Sequence, residues 1–357
     1  MANAFGRYHH RYCVSNLCTY ILNYCFRNCI LTKIAIIGAG LSGLSAAHLL
    51  KQHADITIFE KARGVGGRMS TRRAEPYFFD HGAQYFTVRA KPFQAFIQPL
   101  IDQHIIQTWQ TRYVKFFGDQ LIESQNDDDQ QSRYVGVPGM NSIAKHLAQD
   151  TAIHINTRIA RLEQQDKWQL TDEQGNKYDN FDWVICTAPA PQAVELLPKT
   201  FAYYDELKAV KMRACFSLML GFDTPLPLDF ESAHLTHSDL SWIAVNSHKP
   251  GRDEPYTLMV HSSAAYADAH FYADRDMVMD HLISETSRIL GHDVSLAQYK
   301  TVHGWLYANN ATQPESAVFL DTQQQLAACG DWCLGGRVEG AFMAAFNLVT
   351  KLKAVGL

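Results

Sequence analysis

The sequence has no excess of positive charge: 32 Lys and Arg stand against 36 Asp and Glu, a net charge of −4 with the 16 histidines neutral. Without a basic stripe there is nothing to collect the phosphates of a nucleic acid, so DNA and RNA are not expected partners. Also missing is any uninterrupted apolar run near the roughly 20 residues that a membrane span requires. A soluble protein without a membrane span is the expectation. The histidines, among them His9-His10, His234 and His237, fall into no metal-ligand constellation, and no metal site is expected. Charged residues make up only 19% and hydrophobic residues 47%, a balance too apolar for a disordered chain. At 357 residues the chain can bury a large core, and at roughly 150 residues per domain it has room for two domains.

Cysteine is unevenly spread. Four of the eight, Cys13, Cys18, Cys25 and Cys29, precede residue 30 in a stretch rich in Tyr, Asn and Arg. A zinc knuckle pairs its ligands at short gaps around a compact turn, and these cysteines come near such a spacing without reproducing it. A secretion signal is equally poorly matched, because Arg27 and Asn28 interrupt the apolar segment and no small-x-small cleavage site follows. Residues 1–32 are therefore expected to be an extension outside the folded core, a mis-set translation start, with the core beginning near Lys33. Cys186, Cys215, Cys329 and Cys333 are scattered through core-like sequence, as reduced thiols of a cytoplasmic protein would be.

What is present begins with a phosphate cradle. Lys33-Ile-Ala-Ile-Ile37 is a short β-branched run, followed at once by Gly38-Ala-Gly40-Leu-Ser-Gly43 and by Leu44-Ser-Ala-Ala-His-Leu-Leu50, which has a helical face. The order strand, glycine turn, helix is what a dinucleotide needs. Gly38 permits the turn, Gly40 lets bare backbone approach a pyrophosphate, and Gly43 lets the helix pack on the strand. A second strand, Asp55-Ile-Thr-Ile-Phe59, ends in Glu60, about 20 residues on, where an acid can accept from ribose hydroxyls and repel a 2′-phosphate.

After Glu60 comes a second cluster of small residues, Lys61-Ala-Arg63-Gly-Val-Gly66-Gly67-Arg68-Met69-Ser70-Thr71. A nicotinamide dinucleotide fold needs one phosphate loop, so the second asks for a reason. Following the ribose acid, it resembles the FAD-binding segment of the flavin amine oxidase superfamily. Leu326-Ala-Ala-Cys-Gly330-Asp331 reads as another buried strand ending in an acid, with a helix from about Val338 to Lys353 after it. Asp182-Trp-Val-Ile-Cys-Thr187 is a further buried strand, and Ala188-Pro-Ala-Pro191 turns at the carboxyl edge of the sheet, where ligands bind. The run Ile153 to Leu162 and Lys167-Trp-Gln-Leu-Thr171 read as strands of a small antiparallel layer. The expected fold is α/β: a discontinuous Rossmann-like FAD-binding domain with a GxGxxG turn, and a mixed-sheet α+β substrate domain. Residues 33–80, 140–212 and 321–357 are assigned to the first, and 81–139 and 213–320 to the second. Asp127-Asp-Asp129 is read as a solvated turn.

A more specific resemblance rests on Asp80-His-Gly-Ala-Gln84-Tyr85-Phe86, Gly136-Val-Pro-Gly-Met-Asn-Ser142, Trp242-Ile-Ala-Val-Asn246 with Lys249-Pro-Gly-Arg252, and Leu258-Met-Val-His261-Ser262. From about Lys33 to the C-terminus the chain is similar to the bacterial renalase family within that superfamily. The resemblance implies that Ser42, Glu60, Arg68, Gln84, Tyr85 and Asp331 contact a noncovalent FAD, Asp331 through the ribityl hydroxyls. Gly38, Gly40, Gly43, Lys61, Gly67 and Ile159 complete the expected cofactor-binding set. It also implies oxidation of the 2- and 6-dihydro isomers of β-NAD(P)H, by hydride transfer to flavin N5 and reoxidation by O2 to hydrogen peroxide. Tyr85, Trp242, His261 and Trp305 are the expected substrate pocket. Trp242 and His261 could equally be core residues of strands. One departure stands out: renalase-like sequences tend to carry basic neighbours around the tryptophan at Trp305, whereas Gly304 and Leu306 flank it here. Two other functions fit the same motifs, an FAD-dependent amine oxidase or desaturase and a non-catalytic flavin-holding protein that binds a partner. Cys329 and Cys333 invite a check for covalent flavin, since some amine oxidases attach FAD through a cysteine near this end.

Overall fold

In the computed structural model, residues 31–125, 132–252 and 255–357 are described. The four N-terminal cysteines, His9-His10 and Asp127–Asp129 lie outside them, and so do the expectations placed on them.

The β-branched run near Lys33 forms the strand Thr32–Ile37, whose Ile34 to Ile37 are buried on both faces. Such a strand belongs inside a parallel sheet. It pairs in parallel with Ala54–Phe59 on one side and Trp183–Cys186 on the other. Leu326–Ala328 and Ala152–His154 extend this sheet in parallel, and Phe319–Asp321 closes one edge antiparallel to its neighbour. The helix Leu41–Leu50 is buried nearly all round because it lies beneath a second helix, Val338–Ala354. Gly340, Ala341, Ala344 and Ala345 keep the near face of that second helix small. This is the expected Rossmann-like unit.

One part of the expectation is corrected. The run from Ile153 to Leu162 is two elements: Ala152–His154 joins the parallel sheet beside Ala54–Phe59, and only Ile159–Gln164 enters the small antiparallel layer, with Trp168–Asp172 and Lys177–Phe181. The break falls at Asn156, whose φ of 51° is left-handed, a conformation asparagine tolerates better than most residues. Asn156 and Thr157 donate backbone N–H groups to Ala62 and Glu60 instead of continuing a strand.

A seven-stranded sheet forms the second layer system, in the order Tyr299–Asn310, Met212–Phe222, Tyr256–Ser262, Leu240–Val245, Ser232–Thr236, Tyr113–Phe117, Gln120–Gln125. One face, with Phe216, Leu218, Leu258, Val260 and Ile243, packs under the helices Ala264–His270 and Arg275–Leu290. Because side chains alternate across a strand, the residues between these point to the opposite face. There Trp242, Ala244 and Tyr113 join the core of the parallel-sheet unit. The hairpin Thr71–Ala74 and Tyr77–Asp80 fills the rest, with Tyr77 and Phe79 against Met219 and Met259.

Tight contact at the first turn gives a stability test. A Cβ on Gly43 would come within 2.0 Å of Gly38 O, whereas one on Gly40 would meet nothing within 4 Å. Gly43→Ala should destabilise the ligand-free protein by about 1–3 kcal/mol, the usual cost of overpacking. Gly40→Ala should stay within about 0.5 kcal/mol of the unaltered protein. Chemical denaturation of the two variants side by side checks this, and equal midpoints would refute the packing argument.

Candidate active site

A cavity of about 1080 Å³ runs from the first glycine turn to the inner face of the seven-stranded sheet. That is at the top of the range usual for one small ligand, and leaves room for a cofactor and a second molecule.

At one end two glycine turns lie against each other. Gly40 and Gly66 form a β-bridge, and the Gly66 N–H donates to Ala39 O at 2.8 Å. Gly66 and Gly67 have φ of 115° and 53°, left-handed values that suit glycine. The open space over Gly40 exposes bare main chain at the start of the helix Leu41–Leu50, an arrangement that suits a phosphate. The Glu60 carboxylate accepts from the backbone N–H groups of Ala39 at 2.7 Å and Ala62 at 2.8 Å. It keeps lone pairs for a ligand hydroxyl. Ser42 Oγ donates to Ala341 O at 2.8 Å, and Lys61 Nζ donates to Gln192 Oε1 at 2.9 Å. Ile159 lines the same wall. Gly43 does not reach the cavity; its missing side chain serves the strand-helix packing.

Arg68 and Asp331, which belong to separate motifs, form one ion pair. Arg68 donates to the two carboxylate oxygens of Asp331 at 2.6 and 2.9 Å and to Ala308 O at 3.1 Å. Both residues line the cavity, so the pair joins the second glycine turn to the turn before the C-terminal helix.

The middle of the cavity is the turn from Asp80 to Tyr85. Asp80 is fully buried and accepts from Arg252 Nη2 at 2.6 Å and Nε at 3.0 Å, from Thr71 Oγ1 at 2.7 Å and from the Met140 N–H at 3.0 Å. Burial alone would raise its pKa, but Lys249, Arg252 and these hydrogen bonds outweigh burial and hold the carboxyl below its ordinary value. The carbonyl of His81 accepts from Ser217 Oγ at 2.7 Å and Trp305 Nε1 at 2.8 Å, which ties the turn to the sheet. The Gln84 amide nitrogen donates to the carbonyls of Asp80 and Gly82, and its oxygen accepts from Lys249 Nζ at 3.0 Å.

The far end is built by strand register. His303, Ser217, His261, Trp242, His234 and Lys115 are successive cross-strand partners, so they form one row across the cavity-side face. Trp305 and Cys215 pair in the next row. The Tyr85 ring lies 5.4 Å from that of Trp242, and the His81 ring is stacked 5.1 Å from that of Trp305. Burial pushes the His81 imidazole down to about 4, helped by His303 and Arg72. Burial likewise pushes His261 down to about 3, helped by Lys249. Both rings are neutral near pH 7. The main chain of Gly304 lines the cavity, but a Cβ there would point to the opposite face, 3.2 Å from the Arg275 guanidinium, so that cation covers the outer face of the strand and not the cavity.

The structure thus brings Tyr85, Trp242, His261 and Trp305 to one cavity, together with every expected cofactor residue except Gly43. Cys215, Ser241, His234 and Tyr307 line it too, and no local motif singles them out as cavity residues. Their strands were visible as alternating runs, but the register that gathers them was not. His237 instead lies tilted against Phe117, with ring centroids 4.1 Å apart. Among the described residues no group of three His, Cys, Asp or Glu is placed to hold a metal ion, and no helix is long and apolar enough to cross a membrane.

The two neutral imidazoles carry a pH prediction. Their folded pKa values lie below the unfolded value of 6.5, so unfolding takes up protons below that pH and stability falls as the pH drops from 6.5 to 4. Each proton adds about 1.4 kcal/mol per pH unit. Thermal unfolding of a His81→Asn/His261→Asn double variant should show a shallower loss over that interval. An unchanged slope would mean that these rings are not protected from protonation.

Comparison with known proteins supplies the context. Residues 36–100 match the profile of the NAD(P)-binding Rossmann-like domain, and residues 115–350 that of flavin containing amine oxidoreductase. Mouse renalase is 22% identical over 352 residues, covering 90% of this chain and 99% of that protein. A carotenoid 3,4-desaturase of Haloarcula japonica is 28% identical over 146 residues, 39% of this chain and 30% of that one. Among solved structures, a provisionally assigned protoporphyrinogen oxidase from Exiguobacterium superposes with a TM-score of 0.74 at 12% identity, covering 91% of this chain and 99% of that one. Putrescine oxidase with putrescine bound gives 0.65 at 13% identity, again covering 91% and 99%. With two thirds of its length matching the family profile, the chain belongs to the flavin containing amine oxidoreductases, is renalase-like in sequence, and uses FAD as its cofactor.

Proposed function

We propose that this protein is a renalase-like oxidase of the 2- and 6-dihydro isomers of β-NAD(P)H. When bound, FAD supplies the hydride acceptor at N5 and returns the electron pair to O2 as hydrogen peroxide. The chain's own part is to bind, orient and exclude water. In this reading Gly38, Gly40, Ser42 and Gly67 present main chain to the pyrophosphate, while the Ser42 hydroxyl ties the turn to Ala341. Glu60, Lys61 and Ile159 take the adenosine end, and the Arg68–Asp331 pair with Gln84 and Tyr85 takes the flavin end. Residues 33–80, 140–212 and 321–357 form the cofactor part, and 81–139 with 213–320 the substrate part.

The observation that carries the reading is the charge of the sheet end. The sheet residues Cys215, His234, Ser241, Trp242, His261 and Trp305 line the wall and carry no carboxylate of their own, the acid acting on this strand being Glu195 near Tyr307, and His261 is held neutral. A dihydropyridine regains aromaticity on losing hydride, so it needs no strong base, only a flat aromatic wall such as Tyr85, Trp242 and Trp305 offer. An amine arrives as an ammonium and must shed a proton first. The similarity to renalase over nearly the whole of both chains supports the same donor. With Gly304 and Leu306 flanking Trp305 in place of basic residues, the donor's phosphates are met elsewhere on the wall.

FAD is held noncovalently in this reading. Cys329 and Cys333 are fully buried and do not line the cavity, and burial pushes the Cys215 thiol up to about 12, where it stays protonated and unreactive. The free, buried state of all four described cysteines supports a reducing, cytoplasmic setting.

A second reading, an amine oxidase or desaturase, has one observation in its favour: the tilted rings of Tyr85 and Trp242 suit a cation, and the Arg133 guanidinium already lies 5.3 Å from the Tyr85 centroid. Anaerobic mixing with 6-dihydro-NAD should bleach the flavin absorbance within a turnover, and acid precipitation should leave free yellow FAD in the supernatant. Bleaching by primary amines but not by dihydro isomers would replace the first reading by the second. No bleaching with any donor would leave a non-catalytic flavin-holding protein.

A further inference from the structure

Lys249 has no part in the chemistry above, yet its placement is costly. Lysine is almost never fully buried unless paired, and here the whole side chain is buried, 1% exposed. Its ammonium donates to Gln84 Oε1 at 3.0 Å, lies 3.7 Å from Asp80 Oδ2, and stands 5.3 Å from the centroid of the Trp109 ring. Arg252, also buried, already satisfies the Asp80 carboxylate with two hydrogen bonds, and Thr71 and Met140 add two more. The carboxylate is therefore fully partnered without Lys249. Two cations against one anion leave the cluster with one net positive charge.

The other ionisable groups near this cluster do not cancel it. His261 on the strand Tyr256–Ser262 and His81 on the turn are both held neutral. Between Lys249 and the cavity stands the Gln84 carboxamide, a cavity-lining group with its oxygen turned back to the ammonium and its nitrogen 3.4 Å from His261 Nε2. With its oxygen on a cation and its nitrogen on two carbonyls, the amide has one orientation. Flipping it would set N–H against ammonium and oxygen against oxygen.

We propose that Lys249 is a positioning residue of the flavin site: from behind Gln84 it fixes that amide and places a buried positive charge under the cavity floor, favouring bound species that carry negative charge, above all the two-electron-reduced cofactor. In a medium of low effective dielectric such a charge acts over several ångströms and is screened little by salt. Burial also pushes this amine down to about 7, against the pull of Asp80 and with a further push from Arg252. The charge is therefore present below neutral pH and fades above it.

The inference rests on FAD occupying this cavity and not on the identity of the donor. Lys249→Met removes the charge and leaves Asp80 paired with Arg252, so no charge is orphaned. Lys249→Gln removes the charge but keeps an N–H donor toward Gln84. The readouts are the affinity of the FAD-loaded protein for sulfite, an anion that adds to the flavin and bleaches it, and the midpoint potential of the bound flavin. At pH 6 both variants should bind sulfite at least tenfold more weakly than the unaltered protein. A tenfold shift in the reduction equilibrium is about 30 mV lower for a two-electron couple. The gap should narrow as the pH rises above 8. A folded, FAD-loaded Lys249→Gln protein with unchanged affinity and potential at pH 6 would overturn the proposal, and so would a gap of constant size at every pH, which would assign the effect to packing. If Lys249→Met does not accumulate, Lys249→Gln alone decides. A protein that takes up no FAD at all would overturn the cofactor assignment and this inference with it, whereas failure of dihydro-NAD to bleach the flavin would leave the sulfite result standing.

Discussion

The buried carboxylate of Asp80 is the interaction on which the rest of the site depends. It ends one hairpin strand and gathers Thr71 from the other, the Met140 N–H ahead of the helix Ser142–Leu147, and Arg252 with Lys249 from the loop after Leu240–Val245. Four segments, distant in sequence, thus meet on one ion. Removing one partner of such a buried pair typically costs 3–5 kcal/mol, because the remaining charge is left unpaired away from water. The turn that follows inherits this rigidity. His81 hands its carbonyl to Ser217 and Trp305 of the sheet, and Gly82 packs so closely that a Cβ there would lie 1.9 Å from Arg68 O. The hinge between the two layer systems is therefore an ionic knot and not a flexible linker, and the cavity lies directly over it.

The seven-stranded sheet shows how one element can serve stability and chemistry at once. Its outer face is a closed apolar core under two helices, where any polar substitution would be buried without a partner. Its inner face carries three histidines, a serine, a tryptophan and a lysine in a single row. Such a face can exist only where ligand or protein dipoles complete it. Trp242 Nε1 is buried and has no hydrogen-bond partner among the described residues, and leaving such a group unsatisfied costs about 1–3 kcal/mol. The inner face thus combines apolar packing through Trp242, Ala244, Met219 and Met259 with polar groups turned to the cavity.

Features set by neighbouring residues were legible in the sequence, and features set by register or burial were not. The strand Thr32–Ile37, its glycine turn and the helix behind it are local, as is the spacing to Glu60, and all stand where expected. The second glycine cluster was legible as a loop, but its pairing with the first through Ala39 and Gly66 was not. Asp331 and Arg68 were each expected to meet the cofactor; that they meet each other is a contact between residues 263 apart, which no spacing rule reaches. The run from Ile153 to Leu162 read as one strand because alternation reveals a strand without revealing its partner, and only the left-handed Asn156 marks the change of sheet. Lys249 stood inside a recognised motif, yet nothing local in Lys-Pro-Gly-Arg announces a lysine sealed from solvent.

Charge is sorted along the length of the cavity, and this sorting is what the shared fold leaves open. The dinucleotide end has Glu60 and Lys61, an acceptor and a donor suited to hydroxyls and phosphate. The middle has the Arg68–Asp331 pair, which cancels itself. The sheet end, among the described residues, has neutral imidazoles and aromatic rings with Lys115 and Arg133 beside them, and the Asp80 cluster behind Gln84 adds a further positive charge. A scaffold shared with putrescine oxidase does not by itself choose among donors, since function lives in the site and not in the fold. In this chain the choice falls to the wall. Under the proposed reading, the uncharged ring of a dihydropyridine meets no unfavourable field at the sheet end, whereas an ammonium approaches a buried positive charge.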